Sequence, residues 1–191
     1  MSTSINQSEM LDVLDENGIP TGEVLPRDVV HKRGLWHEST LVCVINSKNE
    51  ILMQKRSVHK DKYPGCWDLS VAGHLEMGSF SMDTLFAEMM EEIGIVLPQQ
   101  IRVRDLKHLK TFRDQRIIND DFIENQFYNL YVSHVDVDVD VDNIQFQEDE
   151  VAEVKWLSIY EVKKLAGSGL CHPRTVWIDM VYKYISRLAF R

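Results

Sequence analysis

The segment Gly73–Ile95, GHLEMGSFSMDTLFAEMMEEIGI, constrains this chain most, because it groups carboxylates where their mutual repulsion calls for a cation. Its apolar residues follow the i, i+3, i+4, i+7 spacing of a buried helical stripe. Glu88, Glu91 and Glu92 share the opposite face, with roughly 5–6 Å between neighbouring Cβ atoms. They also precede the expected C-cap Gly94, where the helix dipole disfavours anions. A solvated acidic face would give the same spacing, but a hard cation such as Mg²⁺ would remove both penalties.

The glycines around this predicted helix complete a recognisable motif. The segment resembles the box of the Nudix hydrolase family, G-x5-E-x7-R-E-U-x-E-E-x-G-U with U aliphatic, and matches seven of its nine specified positions without a gap. The departures are Ser79, where the family has Glu, and Ala87, where it has Arg. In the family these two residues form a salt bridge behind the metal ligands, and losing such support typically costs about 10–100-fold in affinity or activity. Reduced activity and lost activity therefore both remain open for this chain.

The resemblance implies a fold and a chemistry. The expected fold is α/β, a Nudix-type α/β/α sandwich with a mixed β-sheet, formed by residues 1–191 as a single domain with the box at 73–95. The expected cofactor is Mg²⁺, with Mn²⁺ as a substitute, bound by Glu88, Glu91, Glu92 and the Ala72 carbonyl. Glu91 or Glu88 would deprotonate the water that attacks a diphosphate.

Upstream runs sharpen the resemblance. GLWH, LMQKRS and KDKYPGCWDLSVAGH are similar to the Nudix branch related to isopentenyl diphosphate isomerase, over roughly residues 10–165. In that isomerase three histidines and two glutamates bind a metal. His37 and His74 match two of the histidines, His31 matches the third after a one-residue gap, and Glu124 matches a glutamate. These residues are candidates for a second metal or substrate site, although a lone histidine is more often structural.

The isomerase itself transfers protons with a cysteine and a glutamate. Ala72 and Gln126 stand at those two positions, and neither side chain can donate and accept the protons. We therefore expect a Mg²⁺-dependent hydrolase of a diphosphate linkage in a nucleoside diphosphate derivative or related organic diphosphate. An isomerase-like enzyme and a non-catalytic nucleotide-binding module are the alternatives. Lys55 and Arg56, at the end of a predicted strand, are candidates for phosphate binding.

Composition limits the partners and the compartment. The net charge of −9 argues against binding to a nucleic acid polymer or an anionic membrane. The three cysteines are widely spaced and are expected to be small buried hydrophobic residues. The chain shows neither a signal peptide nor an apolar run long enough for a membrane span, which predicts a cytoplasmic protein acting on a small molecule. The sequence leaves a homodimer open.

Local patterns predict the remaining elements. Residues 1–9 are expected to be flexible, a hairpin covers 10–24, and a helical turn at 27–33 ends at Gly34. Strands are expected at 41–46, 51–55, 67–71, 101–112, 127–132 and 150–157, with a polar loop at 113–125 and a solvated acidic edge or loop at 135–142. Ser158 and Glu161 form a capping box for a helix over 159–166. A last helix is expected over about 173–190, with Val176 in its core stripe.

Overall fold

A computed structural model describes residues 9–60, 62–74, 106–135, 141 and 148–188. The predicted carboxylate helix, with Glu88, Glu91, Glu92, Ser79 and Ala87, lies outside these ranges, as does most of the acidic repeat. The described strands are β1 (Met10–Leu14), β2 (Pro20–Pro26), β3 (Trp36–Ile45), β4 (Ile51–Arg56), β5 (Trp67–Asp68), β6 (Val71–His74), β7 (Lys107–Asn119), β8 (Phe122–His134) and β9 (Val151–Leu157). The described helices are α1 (Arg27–Arg33), α2 (Ile159–Gly167) and α3 (Val176–Leu188).

Strand β3 organises the sheet. It runs parallel to β8 along its whole length, from the pair Trp36–Asn125 to the pair Ile45–His134. It runs antiparallel to β6, which pairs with residues 39–42 of β3. Strand β7 is antiparallel to β8, and β4 is antiparallel to both β5 and β9. The predicted mixed sheet is therefore confirmed.

Both faces of β3 are buried. Leu41, Cys43 and Ile45 pack in one cluster with Val162 of α2 and Trp177 of α3. Val42 and Val44 alternate with them and pack in a second cluster on the other face, together with Leu52, Val71 and Val154. Each such apolar side chain contributes about 1.5–3 kcal/mol on full burial. A strand buried on both faces forms the middle layer of the fold.

Local chemistry explains how the helices end and begin. Gly34 terminates α1 with φ +61°, and a Cβ there would lie 3.2 Å from the Ile123 side chain, so glycine suits the position twice over. The capping box of Ser158 and Glu161 starts α2, as predicted. In α3 the predicted core stripe is wrong at Val176, which is 50% exposed. No described helix has the length and apolar character needed to cross a membrane.

Three strand predictions need correction. The predicted loop at 113–125 is instead the continuation of β7 and β8, with the turn at Asp120 and Asp121. Polar residues there pair across the strands, for example Arg116 opposite Glu124, and backbone pairing with β3 holds β8 extended. The same pairing makes β3 begin at Trp36 rather than at residue 41.

The third correction concerns residues 67–71, which form two short strands rather than one. Strand β5 pairs with β4, whereas β6 pairs with β3. Between them the buried Ser70 hydroxyl donates to the Leu52 carbonyl at 2.5 Å and accepts from the Val44 amide at 2.9 Å. Ser70 therefore bridges β3 and β4 at the point where the chain stops pairing with β4 and begins to pair with β3.

Candidate active site

A cavity of about 110 Å³ opens where α1, β3, β6 and β8 meet the end of β4 and the segment before α3. Its described lining includes five cationic side chains and one carboxylate, Glu124. The cations are Arg27, Arg56, Lys60, Lys62 and Arg174. Three of these cations pair with carboxylates outside the lining, namely Glu9, Glu150 and Asp68, but the lining itself carries more positive than negative groups, which favours an anionic ligand.

Secondary-structure periodicity brings these side chains to one place. Arg27 and His31 are four residues apart on α1 and therefore share a face of that helix. Glu124, Gln126 and Tyr128 alternate along β8 and all reach the cavity. The helix and the strand thus each present a row of polar groups to the same space.

The predicted Nudix box begins at the cavity wall. Ala72 and Gly73 line the cavity from β6, where they pair with Leu41 and Thr40 of β3. The backbone of His74 continues β6, paired with Ser39. The first residue of the predicted box, Gly73, therefore lies in the wall of this cavity.

The two basic residues predicted to bind phosphate, Lys55 and Arg56, lie on opposite faces of β4. Arg56 lines the cavity, and its Nε donates to the Lys62 carbonyl at 3.2 Å. Lys55 is not part of the described lining, because successive side chains of a strand point to opposite faces. The structure therefore favours Arg56 over Lys55 as a residue of this site.

The rings of His31 and His37, two of the candidate histidines from the isomerase resemblance, lie next to each other. Their ring centroids are 4.8 Å apart, and His31 also stacks on Phe122 at 4.0 Å. The Nδ1 atoms of His31 and His37 face the carbonyl oxygens of Ile123 and Leu35 at 3.2 Å and 3.1 Å. A carbonyl can only accept, so each Nδ1 carries the proton. Burial lowers the pKa of His31 to about 3 and that of His37 to about 4, which keeps both rings neutral near pH 7.

Gln126 connects His37 to a buried tyrosine. Its Nε2 donates to His37 Nε2 at 3.0 Å, and its Oε1 accepts from the Tyr128 hydroxyl. Gln126 is 3% exposed and His37 is not exposed at all. A neutral amide therefore occupies, in a fixed orientation, the position at which the resemblance places the catalytic glutamate of the isomerase.

Glu124 is the described carboxylate of the cavity. Burial raises its pKa, although the cations of Arg174, Lys62 and Arg116 oppose that shift. Its Oε2 is buried and has no hydrogen-bond partner within the described ranges. An oxygen in that position suits a hard cation. The described side chains form no cluster of three or more His, Cys, Asp or Glu that would hold a metal by itself.

A buried ion pair at the inner wall was not anticipated from the sequence. Arg174 Nη2 lies 2.5 Å from Asp68 Oδ2, with the two side chains 9% and 0% exposed. Burial would raise the pKa of Asp68, but the charges of Arg174 and its neighbours outweigh burial and lower it. For Arg174, burial would lower the pKa, but the charge of Asp68 outweighs burial and the pKa is raised. The partners are 106 residues apart, so no local spacing indicates the pair.

Other cavity residues were missed although the sequence carried a signal. Lys60, Lys62 and Tyr63 directly precede the turn at Pro64 and Gly65, within the run that supports the isomerase resemblance. A basic segment leading into a turn beside the box is a reasonable phosphate-binding candidate.

An outer cavity of about 580 Å³ adjoins the inner one. The two cavities share Arg27, His31, Arg56, Lys60 and Lys62. Phe122 adds an aromatic ring to the outer cavity, and the Lys62 ammonium lies over it. The site thus has a small cationic inner part and a larger outer part.

Comparison with known proteins identifies the family. The family model of the NUDIX domain matches residues 35–174. Nudix hydrolase 3 of Arabidopsis thaliana is 32% identical over 157 residues, which cover 81% of this chain but 20% of that protein. Isopentenyl-diphosphate Delta-isomerase 2 of Photorhabdus laumondii is 25% identical over 178 residues, 93% of each chain.

Solved structures agree on the fold. The crystal structure of DR0079 from Deinococcus radiodurans matches with a TM-score of 0.68 at 16% identity, covering 92% of this chain and 98% of that one. The predicted Nudix-type α/β/α sandwich is confirmed by this likeness. The domain match contains the segment 73–95 and most of the cavity wall, and the chain therefore belongs to the Nudix hydrolase family.

Proposed function

We propose that this chain hydrolyses a diphosphate linkage in a nucleoside diphosphate derivative or a related organic diphosphate, with Mg²⁺ as cofactor and Mn²⁺ as a substitute. The observation that carries the proposal is the cationic inner cavity, where five Lys and Arg side chains surround a single described carboxylate. This environment suits the multiple negative charges of a diphosphate. The wall formed by Ala72 and Gly73 joins this cavity directly to the box.

The metal would be held by Glu88, Glu91, Glu92 and the Ala72 carbonyl. The unpartnered Oε2 of Glu124 makes a second metal or substrate position chemically reasonable, whereas both ring nitrogens of His37 are already hydrogen-bonded, to Leu35 and Gln126. A bound Mg²⁺ supplies charge neutralisation and a more acidic water.

The chain's own residues bind the substrate and move the proton. Arg27, Arg56, Lys60 and Lys62 bind the phosphate oxygens and offset their charge. Glu91 or Glu88 takes a proton from water, the water oxygen forms a bond to phosphorus, and the bridging P–O bond breaks. One product is the phosphate that gained the water oxygen, and the other is the phosphate that leaves with the bridging oxygen.

Isomerisation is the second candidate, because relatives include isopentenyl-diphosphate isomerases. The described lining of the cavity contains no cysteine, and Ala72 stands at the position of the catalytic one. Gln126 is neutral and already engaged with His37 and Tyr128. Both observations favour hydrolysis over proton transfer at carbon.

The test is a substrate screen with the purified full chain. Nucleoside diphosphate derivatives and isoprenoid diphosphates are incubated with Mg²⁺ or with EDTA, in water labelled with ¹⁸O, and products are read by mass. Hydrolysis places the label on a phosphate product and stops with EDTA, while the far-UV circular dichroism spectrum is unchanged. Isomerisation leaves the mass unchanged and is read by proton NMR.

Three outcomes would reject the proposal. An isomer of isopentenyl diphosphate would favour the isomerase. Binding of nucleotides with no labelled product from any of them would favour the non-catalytic module. Cooperative unfolding on chelation would mean that the metal is structural.

A further inference from the structure

The guanidinium of Arg174 lines the inner cavity, and not all of its N–H donors have a partner among the described residues. The side chain is 9% exposed, and its Nε is buried without a partner among the residues that the structure describes. A guanidinium has five N–H donors. Nη2 donates to Asp68, and the Arg174 side chain makes one further hydrogen bond with the side chain of Tyr128. Donors therefore remain for an acceptor inside the cavity.

Asp68 fixes the direction of this guanidinium. Its side chain is fully buried, and its Oδ1 accepts from the Leu69 amide at 2.8 Å, so the carboxylate itself cannot turn. The Tyr128 ring lies 5.3 Å from the guanidinium carbon of Arg174. An Arg held on two sides loses little further rotamer freedom when it binds an anion, which makes binding less costly.

Arg56 approaches the same place from another element. Arg56 and Arg174 both act electrostatically on Asp68, and both line the inner cavity. Arg56 comes from the end of β4, whereas Arg174 comes from the segment before α3. Two guanidinium groups that line one cavity can offer several N–H donors to the oxygens of a phosphoryl group.

A purely structural ion pair would tie the segment before α3 to β5 equally well. That role does not require the guanidinium to line a cavity that a second arginine also lines. It also predicts that loss of either partner weakens diphosphate binding to the same extent.

We propose that Arg174 is a phosphate-binding residue of this site, that it forms with Arg56 a clamp for one phosphoryl group of the substrate, and that Asp68 is its positioning residue. This inference rests on the proposed function, because it assigns part of the same cavity. The ligand class is a phosphoryl oxyanion, and inorganic diphosphate is the probe for it.

The experiment measures diphosphate binding by isothermal titration calorimetry in EDTA, so that neither metal nor turnover contributes. Arg174→Met should weaken binding at least tenfold, and Arg174→Lys should fall between Met and wild type because it keeps the charge without the fork. Asp68→Asn should also weaken binding, but by less than Arg174→Met, because Asn offers one acceptor oxygen where Asp68 accepts from both the Leu69 amide and Arg174. A larger loss of binding at Arg174 than at Asp68 distinguishes direct binding from a structural role.

Two further variants serve as controls. Arg174→Met leaves Asp68 buried and uncompensated, so the double variant Asp68→Asn with Arg174→Met removes both charges and should fold while binding weakly. Lys163→Met removes the exposed ion pair with Asp179 and should bind like wild type. Circular dichroism and thermal melts establish that each variant is folded.

The inference is overturned if wild type does not bind diphosphate, if the folded double variant binds as well as wild type, or if Asp68→Asn weakens binding as much as Arg174→Met. Failure of the proposed function has a different signature. In that case the binding pattern holds, but no diphosphate substrate is hydrolysed with Mg²⁺.

Discussion

Gln126→Glu would replace the donor that faces His37 with a second acceptor. In the wild-type protein Gln126 Nε2 donates to His37 Nε2 at 3.0 Å, and both side chains are buried. Burial lowers the pKa of His37 to about 4, so its ring is neutral near pH 7 and offers Nε2 as an acceptor. A carboxylate at position 126 can therefore make this hydrogen bond only when the pair takes up a proton.

The change in the free energy of unfolding depends on whether this proton is bound. Without it, the variant loses a hydrogen bond worth about 1 kcal/mol and leaves buried acceptors unsatisfied at about 1–3 kcal/mol, so it loses roughly 2–4 kcal/mol near pH 8. In the unfolded chain Glu and His titrate near 4.3 and 6.5. Above about pH 6.5 the folded variant holds one proton more than the unfolded chain, because the pair has a raised pKa. The stability that this proton contributes is fully present below about pH 6.5 and is lost, at about 1.4 kcal/mol per pH unit, as the pH rises towards the folded pKa.

Urea unfolding at about pH 6, 7 and 8 in EDTA measures this dependence. Gln115→Glu is the matched control, since Gln115 is exposed on the neighbouring strand β7. We expect its free energy of unfolding to stay within about 0.5 kcal/mol of wild type at every pH. If Gln126→Glu showed no steeper pH dependence than this control, the hydrogen bond between Gln126 and His37 would not have the role assigned to it.

Three further predictions concern the box and a helix cap. Glu92→Gln should lower turnover at least about 100-fold without lowering the melting temperature, because it deletes a metal ligand and relieves repulsion; unchanged turnover rejects the metal assignment. Ser79→Glu with Ala87→Arg should raise activity with a favourable coupling of about 0.5–3 kcal/mol in a double-mutant cycle, whereas simple additivity would mean that no supporting ion pair forms. Ser158→Ala should cost about 1 kcal/mol in urea unfolding with no change in turnover, since the Ser158 hydroxyl accepts from an amide of the first turn of α2 at 3.3 Å; a stability equal to wild type would show that the cap is dispensable.

Local chemistry in the sequence determined much of the framework. The N-terminal hairpin, the end of α1 at Gly34 and the capping box that starts α2 are all confirmed, because each depends on residues within a few positions of one another. Strand β9 follows in the same way from a short apolar pattern. Family membership also followed from short runs, and it is confirmed by the domain match. The roles of Glu88, Glu91 and Glu92 stay predictions.

Tertiary structure decided what joins distant parts of the chain. The sequence predicts a polar loop at 113–125, yet pairing between β7, β8 and β3 makes most of it strand and brings Glu124 into the cavity. Strand alternation directs Arg56 and not Lys55 to the described cavity lining. The pair of Asp68 and Arg174 forms only when β5 and the segment before α3 meet in the fold. Periodicity reports which residues share a face of one element, whereas burial and pairing between elements determine which charges must find a partner.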